Sequence, residues 1–178
     1  WDRRTSHRVT HFIANSATVQ QRIREAYGRD SVVIHPPVDT QFFFPALVRR
    51  EDYYLIVSAL VPYKRLDLAI QACTHLKQKL VIIGTGEMED KLQAMADANV
   101  SFLGWGSNET IREHLQRCRA LLFPGEEDFG IVPVKANACG TPVIAFGRGG
   151  ATETIIPHNG KQEPTGVWLM EQTVDTLV

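Results

Sequence analysis

The chain has 178 residues, of which 44% are hydrophobic and 22% are charged, and its formal net charge is -1. This composition is that of an ordinary globular domain with a buried core. A net charge so close to zero gives no general attraction to nucleic acid, so we expect no nucleic-acid partner. No apolar run approaches the roughly 20 residues that cross a bilayer, and the start of the chain lacks a signal-peptide core. These features predict a cytoplasmic protein with a small-molecule or protein ligand.

Short runs of β-branched residues alternate with amphipathic segments along the chain. The predicted strands are residues 11–15, 31–35, 53–58, 80–84, 100–104, 120–124, 142–146 and 166–170. Several of them are apolar throughout, which is typical of strands that are covered on both faces of a parallel sheet. The repeated strand–helix order predicts an α/β fold with a doubly wound, mainly parallel Rossmann-like sheet. Such sheets bind ligands beyond the carboxyl ends of their strands.

Two helices carry clear signals. Ser16 predicts an N-cap, and Gly28 predicts the end of the same helix. In LDLAIQACTHL, apolar residues recur at intervals of three and four, which predicts one buried face formed by Leu66, Ala69, Ile70, Cys73 and Leu76. The final QTVDTLV predicts a helix that begins at Thr173 and stops after little more than one turn, as if the chain were a piece of a longer protein.

The cysteines and histidines do not form a recognisable metal or disulfide pattern. Cys73, Cys118 and Cys139 are odd in number and far apart, which predicts buried reduced thiols. His7 and His11 have the spacing of helical metal ligands, but neither an acid nor a third ligand lies near them in the sequence. Because a metal site needs three or four ligands, we predict surface histidines and no metal site.

The first candidate loop follows the predicted strand 53–58 and contains Lys64 and Arg65 at the start of a helix. A helix N-terminus already carries a partial positive charge, so two cations there favour an anionic ligand. A solvated loop explains the same residues equally well. The second candidate loop is Gly84-Thr85-Gly86, where glycine permits close approach of a ligand but is also ordinary turn chemistry.

The third candidate loop reads EEDFGIVP and follows the predicted strand 120–124. Pro133 suits the first turn of a helix, so the N–H groups of Gly130, Ile131 and Val132 are expected to face a ligand. These groups bind phosphate oxygens, and a neighbouring carboxylate accepts hydrogen bonds from hydroxyl groups. The loop therefore predicts a sugar phosphate ligand. An acidic loop that only caps a buried helix remains the alternative.

Eight motifs occur in a characteristic order: FIANS, VIHPPVD, VPYKR, IIGTGE, VSFLGW, FPGEEDFGIVPV, ACGTPVIA and GGATE. Taken together they resemble the retaining glycosyltransferases of the GT-B class, glycosyltransferase group 1 or family 4, and most of all bacterial or archaeal mannosyltransferases. Such enzymes have two Rossmann-like domains that face a cleft. The resemblance implies that residues 1–178 are the C-terminal nucleotide-sugar-binding domain, and that the N-terminal acceptor domain is absent. It also implies that this fragment alone is inactive.

The resemblance assigns roles to individual residues of the hexose and diphosphate part of the site. Lys64 matches the lysine that grips the donor diphosphate, and Arg65 is expected to substitute for an arginine that the family places at Ala59. Glu127 matches the glutamate that meets the transferred hexose, which makes Glu127 and Lys64 the predicted catalytic residues. The backbone donors to the sugar and the diphosphate are Phe129, Gly130, Ile131 and Val132.

On the nucleotide side, the resemblance assigns Gly84, Thr85, Gly86 and Leu103 to the lining of the site. Lys135 departs from the pattern because the family has a glutamate there, which accepts hydrogen bonds from both ribose hydroxyls. A lysine has three donors and no acceptor, so it cannot make those bonds. Each lost bond to a charged acceptor costs about 1.5 to 3 kcal/mol. We therefore expect weaker binding of the ribose, or a rearranged contact of Lys135 with hydroxyl oxygens or phosphate.

The function implied by the resemblance is transfer of a hexosyl group, with mannosyl favoured, from a nucleoside diphosphate sugar to a hydroxyl acceptor with retention. GDP-mannose is the favoured donor, the acceptor is a saccharide or a lipid-linked molecule, and no cofactor is expected. Peripheral attachment to the inner membrane face through the missing domain stays open. Two other functions also stay open: a nucleotide-sugar epimerase of the same fold, and a non-catalytic nucleotide-binding module.

Overall fold

The computed structural model describes residues 2–158, 160 and 162–178. The helices of this part of the chain are α1 (Asp2–Thr5), α2 (Ala17–Tyr27), α3 (Leu66–His75), α4 (Glu89–Ala94), α5 (Asn108–Arg117), α6 (Ile131–Ala138) and α7 (Ala151–Thr154). The strands are β1 (Phe12–Ala14), β2 (Ser31–Val33), β3 (Tyr54–Val57), β4 (Leu80–Ile83), β5 (Val100–Phe102), β6 (Ala120–Phe123), β7 (Val143–Phe146) and β8 (Gly166–Leu169). Short 3₁₀ turns lie at Ser6–Arg8 and Pro62–Lys64.

A six-stranded sheet forms the body of the fold. Its strand order is β5-β4-β3-β6-β7-β8, and every neighbouring pair is parallel. The chain builds outward from β3 to β5 and then returns to the other side of β3 with β6. The strand order therefore reverses between β3 and β6, which is the point where doubly wound sheets bind their ligands.

Successive residues of each central strand belong to opposite cores, because side chains alternate along a strand. On one face, Leu55 and Leu121 pack with residues of α5 and α6. On the other face, Ile56 and Leu122 pack with residues of α3 and α4. Both faces of the sheet are thus covered, and this explains why its strands are apolar throughout.

A separate unit precedes this domain. Strands β1 and β2 pair in parallel, and α2 connects them. The Ser16 hydroxyl accepts from the Val19 N–H, and Gly28 ends the helix with a left-handed φ of 63°. The sheet of this unit is apolar on its outer side as well, since Ile13, Val32 and Ile34 are 64%, 64% and 57% exposed.

The structure confirms all eight predicted strands and the α/β class, with one refinement of their arrangement. Within the described residues, β1 and β2 form their own two-stranded sheet and do not join the other six strands. Residues 175–177 form a turn, so the prediction of a helix from Thr173 is wrong. Leu76 lies at the C-cap of α3 and is 39% exposed, so it does not share the buried face of that helix.

The three cysteines are buried and free, as predicted. Burial raises the pKa of the Cys73 thiol to about 11 and that of the Cys118 thiol to about 12, so both remain protonated at neutral pH. No helix in the described part of the chain has the length and apolar character needed to cross a membrane.

Candidate functional site

The loops that follow β3 and β6 meet at the point where the strand order reverses, and they border a cavity of about 570 Å³. The first loop contributes Tyr63 and Lys64, and the second contributes residues 126–131. The third wall comes from the β1–α2–β2 unit and consists of Asn15, Arg22 and Pro36. Three segments that are distant in sequence therefore form one concave site at the carboxyl edge of the sheet.

Lys64 and Glu127 form an ion pair in this cavity between the Lys64 Nζ and the Glu127 Oε1 atoms. Their side chains are only 13% and 23% exposed, so both charges are largely removed from water. The Lys64 Nζ atom also lies 4.9 Å from the centre of the Tyr63 ring, a cation–π distance. The structure thus brings the two predicted catalytic residues into direct contact.

Glycine residues position both partners of this ion pair. A Cβ atom on Gly125 would lie 2.8 Å from the Lys64 Cα, so only glycine lets the two loops approach this closely. The Gly150 N–H donates to the Glu127 carbonyl at 2.7 Å and fixes the backbone that carries the carboxylate. The Lys64 backbone belongs to the 3₁₀ turn Pro62–Lys64, which Pro62 begins.

Helix α6 begins at this cavity. Gly130 is its N-cap with a left-handed φ of 84°, and no side chain caps the helix. The first N–H groups of a helix have no intrahelical partner and favour an anion. Gly130 and Ile131 line the cavity, whereas Val132 packs its side chain against the core beside them. Phe129 is buried and stacks on the His35 ring at 5.4 Å.

The two acids that flank Glu127 face a different cation. Arg22 of α2 pairs with Asp128, and its Nη2 atom lies 3.5 Å from the Glu126 Oε1 atom. The first turn of the same helix is bound as well, because the Glu153 carboxylate accepts from the Ala17 N–H at 2.8 Å and the Thr18 N–H at 3.0 Å. Sequence reasoning did not identify Arg22, because an arginine on an amphipathic helix carries no local signal of a contact 106 residues away.

Arg65 lies beside this cavity but does not line it. It is the N-cap of α3 with a left-handed φ of 52°. Its guanidinium donates to both Asp67 carboxylate oxygens at 3.1 Å. A bidentate pair of this kind holds the guanidinium against its own helix.

Gly84, Thr85 and Gly86 lie in the loop that follows β4, outside the lining of the cavity. A Cβ atom on Gly84 would be 1.8 Å from the Ser58 carbonyl oxygen, and one on Gly86 would be 2.4 Å from that of Leu60. The Leu60 N–H donates to the Thr85 carbonyl at 3.0 Å. Close packing of the β3 and β4 loops therefore accounts for both glycines. Leu103 follows β5 at the same edge and is 47% exposed.

Lys135 lies on α6, and its ammonium contacts residues from two other segments. The Nζ atom donates to the Asn108 Oδ1 atom at 3.3 Å, and it lies 4.8 Å from the centre of the Phe43 ring. Asn108 is the first residue of α5, the helix that follows β5 and Leu103. Lys135 thus lies toward the β5 side of the sheet edge and does not line the cavity.

No group of three or more His, Cys, Asp or Glu residues in the described ranges is arranged to hold a metal ion.

Residues 38–178 match the family model of glycosyl transferases group 1. The chain belongs to this family. An uncharacterised glycosyltransferase of Methanocaldococcus jannaschii is 29% identical over 156 residues, which cover 83% of this chain and 43% of the relative. A GDP-mannose-dependent phosphatidylinositol monomannoside mannosyltransferase of Mycolicibacterium smegmatis is 30% identical over an alignment of 172 residues, and the match covers 79% of this chain and 45% of the relative.

Solved structures share the fold of this chain. Sucrose-phosphate synthase of Thermosynechococcus elongatus has a TM-score of 0.79 at 21% identity, covering 93% of this glycosyltransferase chain and 46% of the other. Anabaena HepE, solved with UDP and glucose, has a TM-score of 0.78 at 21% identity, covering 95% and 51% of the two chains. This chain thus spans about half the length, or less, of the relatives named above.

Proposed function

We propose that this chain is the C-terminal donor-binding domain of a retaining hexosyltransferase that uses a nucleoside diphosphate sugar. The observation that carries the proposal is the Lys64–Glu127 pair in a cavity bordered by the uncapped start of α6. A diphosphate needs cationic and N–H donors, and a hexose needs an acceptor for its hydroxyl groups. The cavity combines both at the point where the strand order reverses.

The proposed reaction breaks the bond between the anomeric carbon of the hexose and a diphosphate oxygen. A new bond forms between that carbon and the acceptor oxygen, whose proton passes to the departing phosphate. The negative charge that develops on the diphosphate needs preorganised donors. Lys64 and the first N–H groups of α6 are positioned to supply them, and Glu127 would orient the hexose. We assign no protein nucleophile, no cofactor and no metal to this step.

GDP-mannose is the donor that we favour. Support comes from the relative of Mycolicibacterium smegmatis, which is named as GDP-mannose-dependent, and from a relative of Corynebacterium glutamicum with the same dependence, 31% identical over 171 residues. A saccharide or lipid-linked acceptor would bind to the N-terminal domain of the longer protein. Catalysis would then require that domain, because this chain supplies the donor half of the cleft.

A second candidate is a nucleotide-binding module without transferase activity. Two observations favour it: Ala59 stands where the resemblance places an arginine, and Lys135 stands where it places a glutamate. Both changes remove a polar contact that the family makes with the donor.

Calorimetric titration of the 178-residue chain with GDP-mannose, UDP-glucose and ADP-glucose tests the proposal. We expect saturable binding with one molecule per chain, tightest for GDP-mannose, and at least about tenfold weaker binding by Lys64→Met, which loses a charged donor to phosphate. Arg119→Met is the matched control, because Arg119 pairs with Asp52 at the opposite end of the sheet. Absence of binding by all three nucleotide sugars would overturn the proposal.

A further inference from the structure

The Lys64–Glu127 ion pair joins the two groups that the proposed function assigns to different parts of a donor. Lys64 is assigned to the diphosphate and Glu127 to the hexose, yet without a ligand each neutralises the other. Both side chains of the pair are less exposed than those of Glu126 and Asp128, which flank Glu127 and are 42% and 53% exposed. A ligand that enters the cavity must therefore replace an existing contact between two partly desolvated charges.

A phosphate group alone can replace only one side of this contact. If it takes the Lys64 ammonium, the Glu127 carboxylate loses its cation and lies beside a new negative charge. Both changes are unfavourable for a carboxylate whose side chain is only 23% exposed. Arg22 also lines the cavity, but its guanidinium is already paired with Asp128 and lies near Glu126, so it is not a free cation for Glu127.

A ligand with both a diphosphate and a hexose can replace both sides. Its phosphate accepts from Lys64 while a sugar hydroxyl donates to Glu127, so each charged group exchanges one partner for another. Neither charge is then left unpaired. The cost of breaking the ion pair thus depends on whether the ligand carries a hydroxyl group at the right position.

From this contact we infer that the Lys64–Glu127 pair makes the site select nucleoside diphosphate sugars over nucleoside diphosphates that carry no sugar. The inference rests on the proposed function and adds a device for specificity to it. It also gives the site a means of product release. Once the hexose has left, the Glu127 carboxylate has no hydroxyl donor, and it competes with the product diphosphate for Lys64.

The test compares GDP with GDP-mannose, and UDP with UDP-glucose, by calorimetric titration of the 178-residue chain. The pair that binds more tightly to the wild type is then titrated into Glu127→Gln, which keeps the shape of the side chain and removes its charge. We expect the affinity for the bare nucleoside diphosphate to rise about tenfold, because Lys64 no longer has to leave a carboxylate. The preference for the nucleotide sugar should fall by at least the same factor.

Glu127→Asp is a second variant that keeps the negative charge but shortens its reach to Lys64 by one methylene group. We expect its affinity for the bare nucleoside diphosphate to lie between those of the wild type and Glu127→Gln. Asp52→Asn is the matched control, since it removes one carboxylate from an ion pair with Arg119 at the opposite end of the sheet. The control should leave both affinities within a factor of two.

The inference is overturned if neither Glu127 variant binds the bare nucleoside diphosphate more tightly than the wild type, or if both ligands gain equally. Failure of the proposed function has a different signature. In that case the wild-type chain binds none of the four nucleotides, and this result appears before any variant is measured.

Discussion

The loop after β6 and the loops after β4 and β5 lie at the same edge of the sheet, but different interactions hold them in place. The β6 loop is held by close main-chain contact at Gly125 and, in addition, by charged side chains, with Lys64 paired to Glu127 and Arg22 paired to Asp128. The loop after β4 is held by close main-chain contacts, which leave no room for a side chain at Gly84 or Gly86. Close main-chain packing thus occurs on both sides of the proposed site, whereas the paired charges distinguish the hexose and diphosphate side.

This difference teaches how to read similar sequences. A charged side chain in a loop at the point where the strand order reverses indicates a ligand site, since its ion-pair partner lies on another loop of the same edge. A glycine in the neighbouring loop indicates close main-chain packing before it indicates contact with a ligand.

The largest effect is expected for Glu127→Ala in a longer protein that contains the acceptor domain. Transfer of the hexosyl group should fall by about 1000-fold, because the variant loses the acceptor that orients the sugar in the transition state. Steady-state measurement of glycoside formation gives the rate. Glu113→Ala is the control, since Glu113 is an exposed acid on α5. Near-normal turnover of Glu127→Ala would remove the role that we assign to this carboxylate.

Gly84→Ala tests the packed side. The added Cβ atom would lie 1.8 Å from the Ser58 carbonyl oxygen, so we expect the free energy of unfolding to fall by about 2 to 4 kcal/mol. Gly104→Ala is a matched control, because Gly104 has a φ of 69° but no atom within 4 Å of the added Cβ. Its cost should be only about 1 to 2 kcal/mol. Urea denaturation of both variants measures the free energy of unfolding. Equal losses of this free energy would show that packing is not the reason for glycine at position 84.

Lys135→Glu tests whether the departure from the family pattern weakens the nucleotide side. A carboxylate at this position would accept hydrogen bonds from the ribose hydroxyls, so nucleotide affinity should rise about tenfold. Lys135→Gln separates this gain from the loss of the contacts with Asn108 and Phe43. Calorimetric titration with GDP compares the two variants. If Lys135→Glu binds GDP no more tightly than Lys135→Gln does, position 135 does not contact the ribose.

The smallest effect is expected for Arg65→Ala. We propose that Arg65 assists Lys64 at the diphosphate, but it must first exchange its bidentate contact with Asp67. Because one ion pair is lost as another forms, GDP affinity should fall only about threefold, which is an ordinary value for a partly exposed pair. The Kd of the Arg119→Ala variant for GDP provides the control. A loss as large as that of Lys64→Met would mean that Arg65 holds the diphosphate directly.

The sequence was sufficient for the fold class and for the strands. Uniformly apolar runs predicted the strands, and Ser16 and Gly28 predicted the bounds of α2, because these signals are local. The loops that carry Lys64 and Glu127 could be placed at one edge because both follow strands of a parallel sheet, and the resemblance to glycosyltransferases supplied the roles of the two residues.

The features that the sequence did not reveal are contacts between segments that lie far apart along the chain. The separation of β1 and β2 from the larger sheet is not encoded in either strand, since both look like ordinary parallel strands. Arg22 reaches Asp128 through the packing of a whole helix, and Lys135 contacts Phe43 through a loop that has no periodic pattern. Contacts of this kind arise from tertiary structure and leave no mark on local residue spacing.

The position of α2 has a consequence for the measurable dynamics of the chain. This helix is attached to the acidic loop by Arg22, and its first turn is attached by Glu153 to the segment that follows Gly150. Coupling between two sites is reciprocal, so a ligand that orders the acidic loop must also stabilise the helix bound to it. Amide hydrogen exchange in α2 should therefore slow when a donor binds, although most of this helix lies outside the cavity.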